Sequence, residues 1–486
     1  MMFTDLIPWK TKEMEKIAKV FLCDKKLILL RAPAGMGKTS VAIAYLIYNA
    51  IMGRRGAIFL RTRREIEHAL KIAKTIHTRL KADLLIIATP SKQRLCVMSP
   101  SETIPIKFMC PIIECPRMKR RKYSDIEKYL RKNVLTTTDE YLRVLSMGRR
   151  CPFWIIRSLL PKANIIVGVH EYFKDDYLFS LLGELDVLII DEAHNLLMMH
   201  YEFDRDKIER GKILVEEFLE RGGRNIARLI VGLWRQGNYD DAEAVSQYQQ
   251  YTQTDGKEKR LGRKILKIPT PISTIRKRLE KSGKIVLMSS TLYPSRFFET
   301  IFSKNMEHEM KIIKGLMRNP NRTIRIMDTD ISTSIRERNP ETYRKYAETI
   351  RTIKTRTKHK MIVFAPSYDV AKGISKFLGA PVTDNPKGEE IIITVYRGRI
   401  AEGVEIPEDY RVAIMAGLPY PKLTQRESKI LEAYSEEYGV SIEVLREAYM
   451  RSSMVSALIQ AMGRVGRKNR GWIYIIDRRA RALLAG

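Results

Sequence analysis

The residues best suited to chemistry stand near the start of the chain, in the stretch from Arg31 to Ser40. An apolar run, Leu27 to Leu30, precedes this stretch, and an apolar helix-like segment, Val41 to Met52, follows it. A strand, a glycine-containing loop and a helix N-terminus together direct backbone N–H groups and the helix dipole at an anion. The stretch therefore predicts a phosphate-binding loop.

This loop contains the residue types that nucleotide binding requires. Gly37 allows close backbone approach to a phosphate, Lys38 can reach the outer phosphates, and Thr39 offers a hydroxyl to Mg²⁺. Ala32 stands where the first glycine of the GxxxxGK[ST] pattern usually stands, so the match is imperfect. The residues that we expect to bind the nucleotide and its metal ion are Ala34, Gly35, Gly37, Lys38, Thr39 and Asp191.

A second catalytic group, Asp191-Glu192-Ala193-His194, follows the apolar run from Val187 to Ile190. Continuous apolar strands of this kind belong to parallel sheets that are covered on both faces. Asp191 can hold Mg²⁺ through its water shell, and Glu192 can orient and deprotonate the water that attacks a γ-phosphate. The two groups together predict nucleotide hydrolysis.

Near the C-terminus, Gln460, Gly463, Arg464 and Arg467 recur at i, i+3, i+4 and i+7. On a helix this spacing places all four residues on one face. Paired guanidinium groups with no acidic residue between them suit the binding of phosphate charge. We therefore expect a second phosphate-facing surface at this end of the chain.

Four of the five cysteines lie in one basic segment, at Cys96, Cys110, Cys115 and Cys151. Four thiolates closing on one metal centre would stabilise a segment with little apolar core of its own. Zinc and a [4Fe–4S] cluster both accept four cysteine sulfurs, so the residues leave both possibilities open. The fifth cysteine, Cys23, falls in a helical stretch and is expected to be buried.

Composition indicates a polyanionic partner, because the net charge is +31 and the sequence pI is about 9.8. Polar residues such as Arg61 and Thr62 follow an apolar strand, on the sheet edge where α/β proteins bind ligands. No signal-peptide pattern opens the chain and no apolar stretch is long enough to span a bilayer. We therefore expect a cytoplasmic protein that does not contact membranes.

At 486 residues the chain should divide into two to four domains. Alternating strands and helices indicate an α/β fold with two sheet-containing units. The expected parts are a first unit (1–95, 152–202 and 276–318), a cysteine-rich insertion (96–151), a helical insertion (203–275) and a second unit (319–486).

The motifs and their order resemble the superfamily 2 helicases of the iron–sulfur branch, the group of the xeroderma pigmentosum group D (XPD) helicase. The matching stretches are Ala32 to Thr39, Arg61-Thr62, the four cysteines with Pro152-Phe153-Trp154, Asp191 to Asn195, Ser289 to Thr291, Pro366 to Tyr368, Arg397 to Glu405, Gly417 to Pro421 and Gln460 to Arg467. The resemblance implies two RecA-like P-loop domains, with a [4Fe–4S] insertion and a helical Arch-like insertion in the first. It also implies 5′ to 3′ translocation on single-stranded DNA, with unwinding of forked duplexes, in DNA repair or replication.

The resemblance also implies a role for each matching residue. Lys38, Glu192, Gln460, Arg464 and Arg467 would form the catalytic set, with the two arginines acting as fingers from the second domain. ATP and Mg²⁺ would occupy the cleft between the domains, and Ser289 and Thr291 would couple hydrolysis to strand movement. The candidate nucleic-acid contacts are Arg61, Thr62, Arg157, Ser367, Tyr368 and Arg397.

Three departures from the family pattern concern specificity and coupling. Thr11 occupies the expected place of an upstream glutamine that reads adenine, and Glu405 replaces an aspartate. The Arch-like insertion is also shorter than usual. Two alternatives stay open: a DNA-stimulated translocase with weak unwinding, and a zinc-containing nucleic-acid scaffold. We expect a monomer.

Overall fold

The structure is a computed structural model. It describes residues 3–7, 9–32, 35–97, 115, 117, 123–147, 150–173, 179–269, 282–292, 295–303, 306–313, 321–402, 406–466 and 469–481. Three of the predicted site residues, Ala34, Cys110 and Arg467, lie outside these ranges.

A seven-stranded, all-parallel sheet forms the centre of the first unit, which we call domain 1. Its strands run in the order β10-β1-β9-β5-β2-β4-β3. They are β1 (Leu27–Arg31), β2 (Gly56–Leu60), β3 (Ile86–Ala88), β4 (Ile165–Val169), β5 (Leu185–Asp191), β9 (Ser282–Ser289) and β10 (His308–Ile312). Nearly every side chain of these inner strands is buried, as expected for a sheet with helices on both faces.

Helices connect and cover these strands. They are α1 (Lys12–Phe21), α2 (Lys38–Ile51), α3 (Arg63–Leu80) and α11 (Ser295–Ser303). The sequence specifies where two of them begin. Thr11 caps α1 by accepting a hydrogen bond from Met14 N, and Thr62 forms a capping box with Glu65 at the start of α3.

Short helices lie between β3 and β4, within the cysteine-rich part of the chain. They are α4 (Lys92–Leu95), α5 (Ser124–Lys132), α6 (Thr138–Leu145) and α7 (Pro152–Leu159). Helix α4 packs against both α6 and α7, which also contact each other. Buried Leu95, Tyr141, Leu145 and Ile155 join this group to the core of domain 1.

The second insertion contains a sheet as well as helices. Its helices are α8 (Arg205–Glu220), α9 (Ile226–Arg235) and α10 (Tyr239–Gln253). An antiparallel sheet in the order β6-β8-β7 comprises Tyr201–Asp204, Lys264–Ile268 and Lys257–Leu261. The purely helical prediction missed this hairpin because lysine and arginine occupy half of the positions in its two strands. Gly262, with φ of 58°, supplies the tight turn between them.

The second unit, domain 2, is built on a five-stranded parallel sheet in the order β11-β15-β14-β12-β13. Its strands are β11 (Arg322–Ile326), β12 (Lys360–Ala365), β13 (Ile391–Val395), β14 (Tyr410–Ala416) and β15 (Gly471–Ile476). Its helices are α12 (Pro340–Thr357), α13 (Tyr368–Leu378), α14 (Arg399–Glu402), α15 (Gln425–Tyr438) and α16 (Ile442–Met462). The predicted α/β class with two parallel-sheet domains is confirmed.

Candidate nucleotide and nucleic-acid site

The phosphate-binding loop has the predicted strand, loop and helix order. Gly35 and Gly37 both have φ near 80°, and α2 begins at Lys38. Any other residue at position 37 would have to adopt this left-handed conformation, and its Cβ would lie 2.4 Å from Met14 Cε. Glycine is therefore required at this point, and Met14 on α1 closes one side of the loop.

Two hard oxygen ligands meet beside this loop. The Thr39 hydroxyl at the start of α2 donates to Asp191 Oδ2 over 2.9 Å, although the residues are far apart in sequence. Lys38 is buried, and its Nζ donates to Ala32 O over 3.0 Å. A hydroxyl and a carboxylate in contact suit an octahedral Mg²⁺ that keeps several waters, so the residues fit the implied ion.

The two acidic residues at the end of β5 have different protonation tendencies. Burial, together with the charge of Glu192, raises the pKa of Asp191. Burial also acts to raise the pKa of Glu192, but hydrogen bonding to His194, the positive charge nearby and the Ser289 hydroxyl lower it overall. Glu192 is therefore ionised at neutral pH and can accept a proton.

Glu192 lies in a hydrogen-bonded network with residues at the end of β9. Ser289 Oγ donates to Glu192 Oε2 over 2.7 Å, and Thr291 N donates to Ser289 Oγ over 3.0 Å. His194 Nδ1 lies 2.8 Å from Thr291 Oγ1 and 3.3 Å from Glu192 Oε2. The network fixes the carboxylate and connects it to the residues that follow β9.

His170 supports the same site from β4. Its Nε2 lies 2.8 Å from Asp191 O, so it must donate there as a neutral ring. Burial lowers the pKa of His170 to about 4, which keeps the ring uncharged at neutral pH. Our sequence interpretation did not include His170, although its position directly after an apolar strand was a usable signal.

A cavity of about 190 Å³ lies between the two domains, next to this network. Arg61 and His194 line it from domain 1, and Arg397, Tyr449 and Gln460 line it from domain 2. The Ser452 hydroxyl on α16 donates to Thr291 O over 3.1 Å, which joins the domains directly. Residues predicted separately for catalysis and for nucleic-acid binding thus share one cleft.

The prediction that Gly463 and Arg464 continue the helical face of Gln460 is wrong, and Arg467 lies outside the described residues. Helix α16 ends at Met462, and Gly463 forms its C-cap. Arg464 therefore lies in the following turn, where its guanidinium donates to Ala401 O. The two glycines of this motif favour the end of the helix, because glycine destabilises a helix interior.

The other predicted nucleic-acid contacts lie at comparable places in both domains. Thr62 is the N-cap of α3, and Ser367 is the N-cap of α13. Tyr368 is 52% exposed, with its hydroxyl 3.3 Å from Asp384 Oδ2. The Arg157 guanidinium lies 4.7 Å from the centre of the Trp154 ring, between the cysteine-rich segment and domain 1.

Three of the four predicted metal-binding cysteines belong to the described ranges. Cys96 ends α4, Cys151 is the N-cap of α7, and Cys115 is buried. Arg117, two residues beyond Cys115, donates to Arg150 O next to Cys151. Within the ranges that the structure describes, no three potential metal ligands come together.

Comparisons with known proteins match this architecture. The family described as DEAD_2 matches residues 58–213, and that described as Helicase C-terminal domain matches residues 374–482. The ATP-dependent DNA helicase XPD of Sulfolobus acidocaldarius is 21% identical over 566 aligned positions, covering 98% of this chain and 96% of that protein.

Solved structures agree over nearly the whole chain. The structure named XPD_Helicase matches with a TM-score of 0.63 and 16% identity over 98% of both chains. The S. tokodaii Xpd4 structure matches with a TM-score of 0.56 and 16% identity, over 97% of this chain and 96% of that one. Both family matches are helicase models, and the similarity to XPD structures extends over nearly the whole fold. The chain is XPD-like in sequence and in fold, as its motifs predict.

None of the described helices is long and apolar enough to cross a membrane.

Proposed function

We propose that this protein is an ATP-dependent DNA helicase that translocates 5′ to 3′ on single-stranded DNA and unwinds forked duplexes in repair or replication. The observation that carries the proposal is the meeting of Thr39, Asp191 and Glu192 beside the phosphate-binding loop. Phosphoryl transfer depends mainly on positioned charge, and these residues supply it.

The residues of domain 1 perform distinct tasks in this proposal. ATP, when bound with Mg²⁺, supplies the phosphoanhydride bond whose cleavage drives the cycle. Gly35 and Gly37 leave the loop N–H groups open to phosphate, and Lys38 contributes positive charge. Thr39 and Asp191 would hold the ion, while Glu192 orients the attacking water and takes its proton.

Domain 2 would complete the site. Gln460 lines the interdomain cleft, and Arg464 follows it in the next turn. In the proposal, Arg464 and Arg467 approach the phosphates when the cleft closes, so that hydrolysis depends on the domain arrangement. Arg464 would then exchange its bond to Ala401 O for phosphate contacts.

DNA would cross both domains at the cleft. Arg61 and Arg397 line the same cavity from opposite sides, and Thr62 and Ser367 cap helices whose N-termini favour phosphate. The net charge of +31 would attract a polyanion without regard to its sequence. Tyr368 and Arg157 are the remaining proposed contacts.

Cys96, Cys110, Cys115 and Cys151 would hold a [4Fe–4S] cluster. Supporting this, Cys96 and Cys151 lie at the ends of packed helices, and the Arg117–Arg150 bond brings the Cys115 segment beside them. The cluster's contribution would be structural, since it would fasten a segment that leads from β3 to β4. Four thiolates are the donor set that such a cluster takes.

The test is ATP hydrolysis with and without single-stranded DNA. Wild-type protein should hydrolyse ATP faster when DNA is added, and Lys38→Ala should abolish turnover while DNA binding is retained. Lys376→Ala, an exposed lysine in the last turn of α13, serves as the matched control. Wild-type turnover that does not respond to DNA would contradict a DNA-driven motor.

A further inference from the structure

The Ser452 side chain is buried in the interface between the domains. It is 5% exposed, and α16, which carries it, also carries Gln460 eight residues further on. Its hydroxyl donates to the backbone carbonyl of Thr291 over 3.1 Å. A buried hydroxyl with a defined acceptor in the other domain responds directly to any shift of α16.

From Thr291 a continuous series of hydrogen bonds leads to the proposed catalytic base. The Thr291 N–H donates to Ser289 Oγ over 3.0 Å, and the Ser289 hydroxyl donates to Glu192 Oε2 over 2.7 Å. Thr291 is 2% exposed and Ser289 is 0% exposed, so water does not compete for these bonds. Three hydrogen bonds thus separate Glu192 from α16.

We propose that Ser452 is a positioning residue through which domain 2 sets the orientation of the Glu192 carboxylate. When α16 is in contact with domain 1, the Ser452 bond holds the backbone of Thr291 at its carbonyl, and the N–H of the same residue holds Ser289 in the position that orients Glu192. When α16 moves away, the Thr291 backbone is released and the carboxylate loses this support. This inference rests on the proposed ATP hydrolysis and names a residue that adjusts it.

The same interface offers a matched control. Tyr438 on α15 donates its hydroxyl to Ile301 O over 2.9 Å, which is also a hydrogen bond from domain 2 to a backbone carbonyl of domain 1. Ile301 lies on α11 and belongs to no described hydrogen-bond series that reaches Glu192. Ser452→Ala and Tyr438→Phe therefore each remove one hydrogen bond between the domains. Only Ser452→Ala breaks the series of hydrogen bonds that reaches Glu192.

The experiment measures DNA-stimulated ATP hydrolysis for both variants. Ser452→Ala should lower kcat about two- to tenfold, the effect of one neutral hydrogen bond, with little change in KM. Tyr438→Phe should leave kcat unchanged, although both variants lose an interface bond. Ser452→Thr, which keeps the hydroxyl, should restore turnover and guards against a packing defect.

A double-mutant cycle tests the connection itself. Because Ser289→Ala already interrupts the series, adding Ser452→Ala should lower kcat no further. Equal losses in Ser452→Ala and Tyr438→Phe, or fully additive effects with Ser289→Ala, would overturn this inference alone. A wild type without ATP turnover would instead overturn the proposed function on which it rests.

Discussion

Glu192 occupies a left-handed backbone conformation, with φ of 48°, at the end of β5. Non-glycine residues adopt this backbone conformation at a cost in free energy, and such strained residues are concentrated at functional positions. Here the Glu192 N–H donates to Asp191 Oδ1 over 2.9 Å, and its carboxylate accepts from Ser289. The sharp turn thus directs the two adjacent carboxylates to different partners, Asp191 to Thr39 and Glu192 to Ser289.

We predict that Glu192→Gln retains nucleotide binding but lowers kcat for ATP hydrolysis about 10²- to 10⁴-fold, the usual contribution of a general base. The amide keeps the size of the side chain but cannot take a proton from water. Steady-state hydrolysis and equilibrium binding of a fluorescent ATP analogue measure the two effects. Glu258→Gln, in the insertion hairpin, is the control; substantial turnover in Glu192→Gln would exclude Glu192 as the base.

Several site residues followed from the sequence because their chemistry is local. Asp191 and Glu192 stand at the end of one apolar strand, and Gly37 and Lys38 end the loop that follows another. The carboxyl edge of a parallel sheet brings such residues together. Ser452 gave no comparable signal, since a serine in an apolar helix has no distinctive spacing. Its role depends on the contact with Thr291, which only the packing of the two domains creates.

At the scale of elements, capping residues determine where helices begin next to the cleft. Thr424 and Glu427 form a capping box at the start of α15, and Glu427 Oε1 also accepts the Tyr449 hydroxyl of α16 over 2.7 Å. One carboxylate therefore joins the two helices of domain 2 that contact domain 1. Burial acts to raise the pKa of Glu427, but these hydrogen bonds lower it overall.

We predict that Glu427→Gln destabilises the α15–α16 pair by about 1–2 kcal/mol at neutral pH, since it removes a charged acceptor. The folded-state pKa is lowered, so this contribution is complete above the unfolded pKa and is lost as pH falls through the folded pKa. Hydrogen exchange of α15 amides at pH 7 and at pH 4 measures the effect. A difference in exchange rate between wild type and Glu427→Gln that is larger at pH 4 than at pH 7 would contradict this role of Glu427.

Another element-scale prediction concerns the four cysteines. If they hold an iron–sulfur cluster, purified protein should be brown, and Cys115→Ser should lose both the visible absorbance and the iron. Cys23→Ser is the matched control, because Cys23 lies in domain 1 beside Glu309. Colourless protein with one equivalent of zinc would support the zinc-containing alternative instead.

The elements were predicted unevenly. Long apolar strands such as β5 and β14 have a clear signal, whereas β3 has three residues and β10 mixes charged with apolar side chains. Strand β15 is apolar, but the glycine- and arginine-rich stretch just before it obscures where the strand begins. The β7–β8 hairpin was hidden by its charges. Its stability comes from pairing and from buried Leu266, which local composition does not reveal.

At the scale of the whole molecule, the insertion connects the two domains. Strand β7 packs against α15, where Lys259 pairs with Glu436. Glu202 on β6 pairs with Arg426 of α15 over 2.8 Å. Domain 2 therefore contacts both the sheet of domain 1 and the insertion, so movement of the cleft would be transmitted to the insertion.

Charge across the cleft leads to a prediction about salt. Single-stranded DNA binding should weaken as salt rises, with a slope of about −0.7 in log–log form for each phosphate neutralised. Arg61→Gln and Arg397→Gln should each make this slope shallower by about 0.7, the contribution of one phosphate contact. Fluorescence anisotropy at several salt concentrations measures it, and Arg344→Gln on the exposed face of α12 is the control. Unchanged slopes in both variants would place DNA elsewhere.

In the proposed function, ATP hydrolysis between the two domains drives strand separation with a defined direction. Its most direct test is unwinding of forked duplexes that carry only a 5′ or only a 3′ single-stranded tail, with wild type and Lys38→Ala. We expect ATP-dependent unwinding of the 5′-tailed substrate by wild type and none by Lys38→Ala. Unwinding only of the 3′-tailed substrate would contradict the direction, and no unwinding of either substrate despite DNA-stimulated ATP turnover would contradict the helicase activity.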